Sequence, residues 1–457
     1  MTTSNASPPG ADDPSVPRIG VERLGQQWVR GALPGAAEWW SRAAEKSRRI
    51  DGEAYDAEPA LVRAYLEGRT WRWSGKRVVF VCDIHADADA WFTSLVSSGS
   101  VEKLGEADDD FRLTEAGQHT EFILGGDCFD KGPDNLRLLR AIGSLKRAGG
   151  EVTILAGNHD LRTIVGLSYM GRKEPRYAHL FVRMGKKSIP LFREVWRDYL
   201  DGEVREADYP SNAELETMLM PDETWYGDFL EEMTGRIPQP KLLKELVRIR
   251  EKISELKAKC IELQLPLWKV YAAALKAREL FGPHGEFGWF FSEMQLARRH
   301  GVCLFIHAGL GDATAAILRR SGVEGLNEEF QRLVGTDLFD LYHGPIGNTF
   351  RTKYRDIDFP LTGAGVADIH GAGVHAIVHG HRNIHHGQRL VMRCGILNFE
   401  CDASVDINTR RLEGMEGFGG AATVFEPDGR VWATSTDHPT IKVFDPSRHT
   451  EVEIAAE

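Results

Sequence analysis

Five short apolar segments of this chain each end next to residues of the types that bind metal ions in proteins. The segments cover residues 78–82, 122–124, 152–155, 303–306 and 376–378. A short apolar run that ends at glycine or at a polar turn is typical of a buried parallel strand. Open α/β sheets bind ligands beyond the carboxyl ends of their strands, so all five ends could converge on one site. The pattern predicts an α/β fold around a single functional centre.

The polar residues at these strand ends are carboxylates, imidazoles and one amide. This mixture suits borderline divalent ions such as Mn, Fe or Zn better than Ca, which prefers oxygen ligands alone. A carboxylate can also bridge two cations with its two oxygens. In chain order the residues are Asp83, His85, Asp127, Asp130, Asn158, His159, Asp160, His307, His379 and His381.

Taken in order, these motifs resemble the motif series of the calcineurin-like metallophosphoesterases. The segment 305–310 and the single later Gly-His pair are most similar to the phosphoprotein-phosphatase branch and its bacterial relatives. The resemblance implies an αββα sandwich, in which two mixed sheets are flanked by helices. The motifs are Asp83-x-His85, Gly126-Asp127-x-x-Asp130-Lys131-Gly132, Gly157-Asn158-His159-Asp160, His307 and Gly380-His381.

The resemblance also implies a centre of two divalent ions (Mn, Fe or Zn, with Mn favoured). Asp83 and His85 would then hold the first ion, and Asp127 would bridge both. The second ion would be held by Asn158, His307 and His381. Either histidine of the His379-Gly380-His381 turn could bind metal; we prefer His381, because the motif glycine precedes it.

In this family a metal-bridging hydroxide attacks the phosphorus, and the residue matching His159 donates a proton to the leaving group. A carboxylate would orient that imidazole, and the sequence offers Asp160 or, alternatively, Asp130. Asn158 is also expected to contact the substrate phosphate.

The phosphate clamp departs from the family pattern, because Lys131 stands where these phosphatases usually carry arginine. Lysine supplies a point charge without the bidentate fork of a guanidinium. Arg351 is our candidate for a compensating arginine, with Arg382 and Arg162 as further candidates.

We therefore expect a dinuclear phosphatase that acts on phosphate monoesters, either of small molecules or of phosphoproteins. An alternative on the same metal core is a nucleotide phosphodiesterase or pyrophosphohydrolase. A third hypothesis is a catalytically silent scaffold that binds a partner. Metal content would separate the third hypothesis from the first two.

The motif spacing predicts how the chain is divided. Between Asn158 and His307 lie far more residues than the family requires, so we expect a mostly helical insertion over residues 166–300. The two parts of the core would be 76–165 and 301–445, with a hairpin at 422–434 that completes the second sheet. We expect disorder in 1–20, a helical extension over 21–75 and a tail at 446–457.

One helix of the insertion is expected near residues 241–264, where apolar residues alternate in steps of four and three. This spacing is an a/d heptad seam. The seam could pack inside the insertion, or it could bind a second copy of the chain or a partner helix; we favour the first reading. The seam residues are Leu242, Leu246, Ile249, Ile253, Leu256, Cys260 and Leu263.

Composition excludes several classes of protein. A net charge of -11 argues against tight nonspecific binding of nucleic acid, which depends on Lys and Arg neutralising phosphates. No segment approaches the eighteen apolar residues of a membrane-spanning helix, and the N-terminus lacks the features of a signal peptide. Six cysteines without a CxxC pair predict reduced thiols and a cytoplasmic protein.

Overall fold

In the computed structural model of the chain, the structure describes residues 16–40, 54–237 and 239–455. The expected disorder of the N-terminus therefore falls mostly outside the described residues. The strands are β1 Ala36–Trp39, β2 Ala54–Asp56, β3 Trp71–Trp73, β4 Arg77–Val81, β5 Val101–Lys103, β6 Phe111–Leu113, β7 Thr120–Leu124, β8 Glu151–Leu155, β9 Met294–Gln295, β10 Arg298–His300, β11 Cys303–Phe305, β12 Ala376–His379, β13 Arg389–Arg393, β14 Ile396–Glu400, β15 Ala421–Phe425, β16 Val431–Ser435, β17 Thr440–Phe444 and β18 Val452–Ile454.

The strands form two large mixed sheets and two small ones. The larger sheet has the order β1-β17-β16-β15-β4-β7-β8-β9, and the second has the order β10-β11-β12-β14-β13-β2. In the larger sheet β4, β7 and β8 run parallel, and in the second β11, β12 and β14 do. All five strands predicted from the sequence are present, but they divide between two sheets.

Side chains of β4 show how the two sheets are packed. Val78 and Phe80 belong to one core cluster, together with residues of the second sheet such as Phe305 and Val378. Val79 and Val81 belong to the other cluster, which contains the helices. Successive strand residues point to opposite faces, so β4 faces the other sheet on one side and helices on the other. The predicted αββα sandwich is confirmed.

Helices cover the outer faces and make up most of the insertion. One of them, α13, is kinked at Gly322, where φ is 67°. The helices are α1 Pro59–Leu66, α2 Ala88–Ser97, α3 Glu115–Gln118, α4 Asn135–Arg147, α5 Asn158–Ser168, α6 Leu180–Arg183, α7 Ile189–Val195, α8 Asn212–Leu219, α9 Trp225–Met233, α10 Gln239–Glu262, α11 Leu267–Leu280, α12 Gly288–Ser292, α13 Asp312–Thr336, α14 Leu338–His343, α15 Gly363–Gly371 and α16 Ile407–Glu413.

Helix α4 follows directly from its sequence. The Asp134 side chain accepts the Arg137 backbone N–H at 2.9 Å and so caps the first turn. Lys146 and Arg147 lie in the last turn, where positive charge is favourable. The apolar face that packs under the sheet consists of Leu138, Leu139, Ile142 and Leu145, all of which are buried.

The heptad seam of α10 packs inside its own chain. Leu242, Ile249 and Leu256 are buried, whereas Val247, between the seam positions, is 61% exposed. The helix contacts the turn Gly185–Ser188 together with α6, α7 and α9. A core position cannot also serve a second chain, so this packing favours the interpretation in which the seam belongs to the insertion.

Two expectations about the chain ends need correction. The segment 21–75 was expected to be helical, but besides α1 it contributes β1, β2 and β3. The hairpin β15–β16 does not complete the second sheet, because β15 pairs antiparallel with β4 in the larger one. The sequence pattern identifies a hairpin, but the choice of sheet depends on an unpaired strand edge distant in sequence. The boundaries of the domains stay predictions.

All six cysteines are free thiols. Among the described helices, none combines the length and the apolar character needed to cross a bilayer.

Candidate metal centre

The turns after β4 and β7 are joined by backbone hydrogen bonds. The N–H of Asp83 donates to the Gly126 carbonyl at 3.0 Å, and the N–H of His85 donates to the Asp127 carbonyl at 3.0 Å. The N–H of Ala86 continues the series, because it donates to Cys128 O at 2.7 Å. These bonds hold the first two groups of predicted ligands next to each other beyond the strands.

The backbone of these turns is strained. Left-handed φ values are uncommon in residues other than glycine and often occur at functional sites. Seven such residues lie in the turns that carry the predicted site, namely Asp83, His85, Ala86, Asp127, Asp130, Lys131 and His381. The surrounding structure must therefore stabilise a conformation that the local chain disfavours.

Glycine is required where these turns approach each other. A Cβ atom on Gly380 would lie 1.9 Å from Asp83 Oδ2, and one on Gly126 would lie 2.8 Å from His307 Nδ1. Gly126 also has a φ of 84°. Both motif glycines thus keep space free for the side chains expected to bind metal.

Asp127 lies between two groups of potential metal ligands. One group combines Asp127 with His85 and His159, and the other combines it with His307 and His381; the donor atoms within each group lie within 4.8 Å of one another. Asp127 Oδ2 lies 3.8 Å from His85 Nε2, and Asp127 Oδ1 lies 3.4 Å from His307 Nε2. The two carboxylate oxygens thus face different histidines, as a bridging ligand would require.

Asp83 lies against both groups. Its Oδ1 is 3.9 Å from His85 Nε2, and its Oδ2 accepts the backbone N–H of His381 at 2.9 Å. Burial and the nearby Asp402 carboxylate raise the pKa of Asp83 well above its usual value. The pKa of Asp127 is held well below its usual value, because His307 and His159 outweigh the effect of burial.

The histidine rings are oriented by backbone carbonyls. His85 Nδ1 lies 3.1 Å from Phe129 O, and His307 Nδ1 lies 2.6 Å from Gly125 O. Each contact leaves Nε2 for the centre, the arrangement usual for metal-binding imidazoles. His307 Nε2 and Asn158 Oδ1 are buried and have no hydrogen-bond partner within the described part of the chain. Buried polar atoms are rarely left unpaired, so these residues fit a divalent metal.

His379 faces away from this centre. Its Nδ1 lies 2.9 Å from Gly380 O, and its Nε2 lies 3.8 Å from Glu400 Oε1. Glu400 in turn forms ion pairs with Arg389 and Arg393. Of the two histidines in this turn, His381 is therefore the one placed beside Asp127.

His159 contacts Asp130 rather than Asp160. Its Nδ1 lies 2.9 Å from Asp130 Oδ2, an oxygen that also forms an ion pair with Arg162. Burial and the charge of Arg162 lower the pKa of His159 to about 3. Burial raises the pKa of Asp130, but Arg162 and His159 outweigh it and hold that pKa well below its usual value. His159 Nε2 lies 3.9 Å from Asp127 Oδ2, so this nitrogen faces the centre.

Asp160 organises the loop instead of orienting His159. Its carboxylate accepts the backbone N–H groups of Asp127 and Cys128 at 2.8 Å, of Phe129 at 3.1 Å and of Gly157 at 3.1 Å. A side chain that points back toward its own helix start cannot also reach the neighbouring imidazole. We therefore correct the expectation that Asp160 orients His159, since the alternative residue, Asp130, makes that contact.

Lys131 and Arg351 occupy different positions. Lys131 Nζ lies 2.6 Å from His85 Nε2, directly at the centre. Arg351 stacks over the Tyr342 ring, with 4.2 Å to the ring centroid, and donates to Tyr342 O. Arg351 lines a neighbouring cavity instead of the main one. Arg382 lies 3.9 Å from Glu400 and so belongs to the ion-pair cluster around that carboxylate, away from the metal centre.

Sequence reasoning overlooked three charged residues at the site. Asp402 follows β14, is buried, and has one carboxylate oxygen without a partner in the described chain. Lys187 and Lys353 line the main cavity together with Asp127 and Asn158. The position of Asp402 after a sixth apolar strand was a usable signal. Lys187 lies in the insertion and belongs to no sequence motif that could have identified it.

The centre opens into a cavity of about 1010 Å³. Asp83, Asp127 and His159 lie on its floor, and its wall includes Lys186 and Arg193 from the insertion. A cavity of this size accommodates a small organic molecule. The insertion therefore borders the space that a substrate would occupy.

Comparison with known proteins gives one family match. Residues 76–236 match the family model described as calcineurin-like phosphoesterase. No curated protein matches the chain.

Two of the solved structures that are similar to the chain are the following. A cold-active protein-tyrosine phosphatase of the psychrophile Shewanella sp. is 15% identical, and the alignment covers 82% of each chain with a TM-score of 0.42. A protein serine/threonine phosphatase from Saccharomyces cerevisiae with similarity to human phosphatase PP5 is 10% identical; the alignment covers 84% of this chain and 86% of that one, with a TM-score of 0.35. Identities this low say nothing about the substrate. The match over residues 76–236 bears out the resemblance of this part of the chain to the calcineurin-like phosphoesterases.

Proposed function

We propose that this protein is a phosphatase that hydrolyses phosphate monoesters with two divalent metal ions, of which manganese is our first choice. The observation that carries the proposal is the position of Asp127, whose two carboxylate oxygens face different histidines. Asp83 and His85 would complete one metal site. The other site would use Asn158, His307 and His381, for which the unpaired atoms of Asn158 and His307 are the support.

When bound, two such ions polarise phosphoryl oxygens and make a water molecule nucleophilic at neutral pH. The chain itself would supply charge and a proton. Lys131, Lys187 and Lys353 line the cavity above the centre and would neutralise a phosphate dianion. The free thiols of the chain support our further proposal that it works in the reducing cytoplasm.

His159 would deliver the proton to the leaving oxygen. Its Nε2 faces the centre, while Nδ1 is held by Asp130. A phosphate dianion next to Nε2 favours the protonated ring, which opposes the lowering of the His159 pKa by burial and by Arg162. Asp130 positions the ring and stabilises its charge during transfer.

The test combines metal analysis with two substrates. Protein loaded with Mn should contain about two metals per chain and hydrolyse p-nitrophenyl phosphate faster than bis-p-nitrophenyl phosphate. Asp127→Asn should lose metal and activity together. His159→Gln should keep its metal while kcat falls at least about 100-fold, the usual range for a general acid. Asp109→Asn, at an exposed aspartate outside the cavity, is the matched control.

Each alternative has its own outcome. Preferential hydrolysis of the diester would favour the phosphodiesterase hypothesis on the same metal core. A folded protein with neither metal nor turnover would contradict both enzyme hypotheses and leave the binding scaffold.

A further inference from the structure

A second cavity opens beside the metal centre, between the insertion and the core. Its volume is about 390 Å³, and it shares Asn158, Lys187, Lys353 and His381 with the main cavity. Helix α10 forms one wall through Lys241 and neighbouring residues. A group bound in this cavity would therefore lie next to a phosphate at the metal centre.

The second cavity is strongly basic, although the whole chain carries a net charge of -11. Among its lining residues, lysines and arginines outnumber carboxylates by ten to four. Two of those carboxylates are already neutralised within the chain, because Glu245 pairs with Arg183 and Glu255 pairs with Lys252. A positive field confined to one cleft of an acidic protein attracts anions to that cleft.

Three of the lysines are half-buried and lack a carboxylate partner. Lys187, Lys241 and Lys353 form no ion pair with any residue that the structure describes, although Lys241 lies 5.4 Å from the Phe359 ring. Burial lowers the pKa of Lys187 and of Lys241 to about 8. Partly desolvated ammonium groups cost free energy unless an anion compensates them. The lysines come from the turn after α6, from α10 and from the segment after α14, so sequence proximity does not explain their convergence.

From this arrangement we infer that the cavity under α10 binds a second phosphate group of the substrate, so that the preferred substrate is a small molecule with two phosphates. The inference rests on the proposed phosphatase function for the first phosphate. The volume of about 390 Å³ suits a compact oxyanion better than a folded peptide.

The test uses phosphate esters of α,ω-alkanediols, in which the chain length sets the distance between two phosphates. For each diol, kcat/KM is measured for the bisphosphate and the monophosphate. At the best length the bisphosphate should exceed the monophosphate by about tenfold, the value of one additional charged hydrogen bond. Lys241→Gln should remove most of this preference, because Lys241 lines the second cavity and not the main one.

Lys257→Gln is the matched control, since Lys257 lies on the same helix but pairs with Glu216 outside this cavity. Lys257→Gln should leave kcat/KM unchanged for both the bisphosphate and the monophosphate. Equal kcat/KM for the two esters at every chain length would overturn the inference, while the proposed phosphatase function would stand. A phosphopeptide rich in acidic residues that exceeds every bisphosphate would overturn it in favour of a protein substrate.

A binding measurement separates the inference from the proposed function. Calorimetric titration of metal-free protein with 1,6-hexanediol bisphosphate should give a measurable Kd. Lys241→Gln should raise this Kd by about tenfold, whereas Lys257→Gln should leave it unchanged. Binding by the metal-free protein, together with no hydrolysis by the protein loaded with Mn, would contradict the phosphatase function but support the second anion site. An equal Kd for wild type and Lys241→Gln would overturn the site.

Discussion

Glu194 of the insertion accepts two hydrogen bonds from Asn135 of the core, at 2.7 Å from the backbone N–H and at 2.9 Å from the side-chain amide. Asn135 Oδ1 in turn accepts the backbone N–H of Asp130 at 2.9 Å. Asp130 holds His159, so this chain of contacts runs from α7 to the proposed proton donor. The insertion thus supports the site as well as bordering it.

Replacing Glu194 tests this support. Glu194→Ala should lower kcat by about tenfold and leave KM within about twofold, because Asp130 shifts while the phosphate contacts remain. The lost acceptor should also cost about 1–3 kcal/mol of stability. Steady-state kinetics and urea unfolding measure both effects. Glu216→Ala, at an exposed carboxylate of the insertion, is the control. Wild-type kcat in a folded Glu194→Ala protein would contradict the positioning role.

Gly380 tests the close approach of the two turns. A methyl group at this position meets Asp83 Oδ2, so Gly380→Ala should displace the carboxylate and weaken metal binding by about 10–100-fold. The affinity can be measured by titrating metal-free protein with Mn. Gly363→Ala is a suitable control, because a Cβ there meets nothing within 4 Å. Unchanged affinity in Gly380→Ala would show that Asp83 is not a ligand.

Glu121 should make stability depend on pH. Burial raises its pKa, but hydrogen bonds from His300, Arg298 and Thr153 outweigh this and lower the pKa from 4.5 to about 2. Its stabilisation is therefore complete above about pH 4.5 and is lost as pH falls toward 2. Glu121→Gln should lower the free energy of unfolding by about 3 kcal/mol at neutral pH. The difference in this free energy between the variant and wild type should narrow below pH 4.5. Urea unfolding at several pH values measures the free energy of both proteins. A difference between them that does not change with pH would contradict the role of Glu121.

The α10 seam gives a test of packing. Ile249 is fully buried, so Ile249→Ala should lower the free energy of unfolding by about 2–5 kcal/mol. Val247 lies on the same helix and is 61% exposed, so Val247→Ala should change it by less than about 0.5 kcal/mol. Equal effects of the two substitutions would mean that the seam is not a core face.

The strand ends and the seam could be predicted from the sequence because both are local patterns. An apolar run followed by Asp or His predicts a strand and the ligand after it, as at Asp127 and His307. Heptad spacing likewise predicts which face of α10 is buried, as at Ile249. These signals need only neighbouring residues.

The tertiary structure decided the questions in which distant segments compete for the same neighbour. Asp130 and Asp160 are both carboxylates near His159 in the motif series, and Asp160 even follows it directly, but the loop geometry gives the imidazole contact to Asp130. The same holds for His379 and His381, whose side chains leave one turn in opposite directions. Local periodicity sets the direction of a side chain relative to its own strand or helix, whereas its partner depends on how strands and helices pack. The basic cavity beside the centre has no sequence signature for this reason.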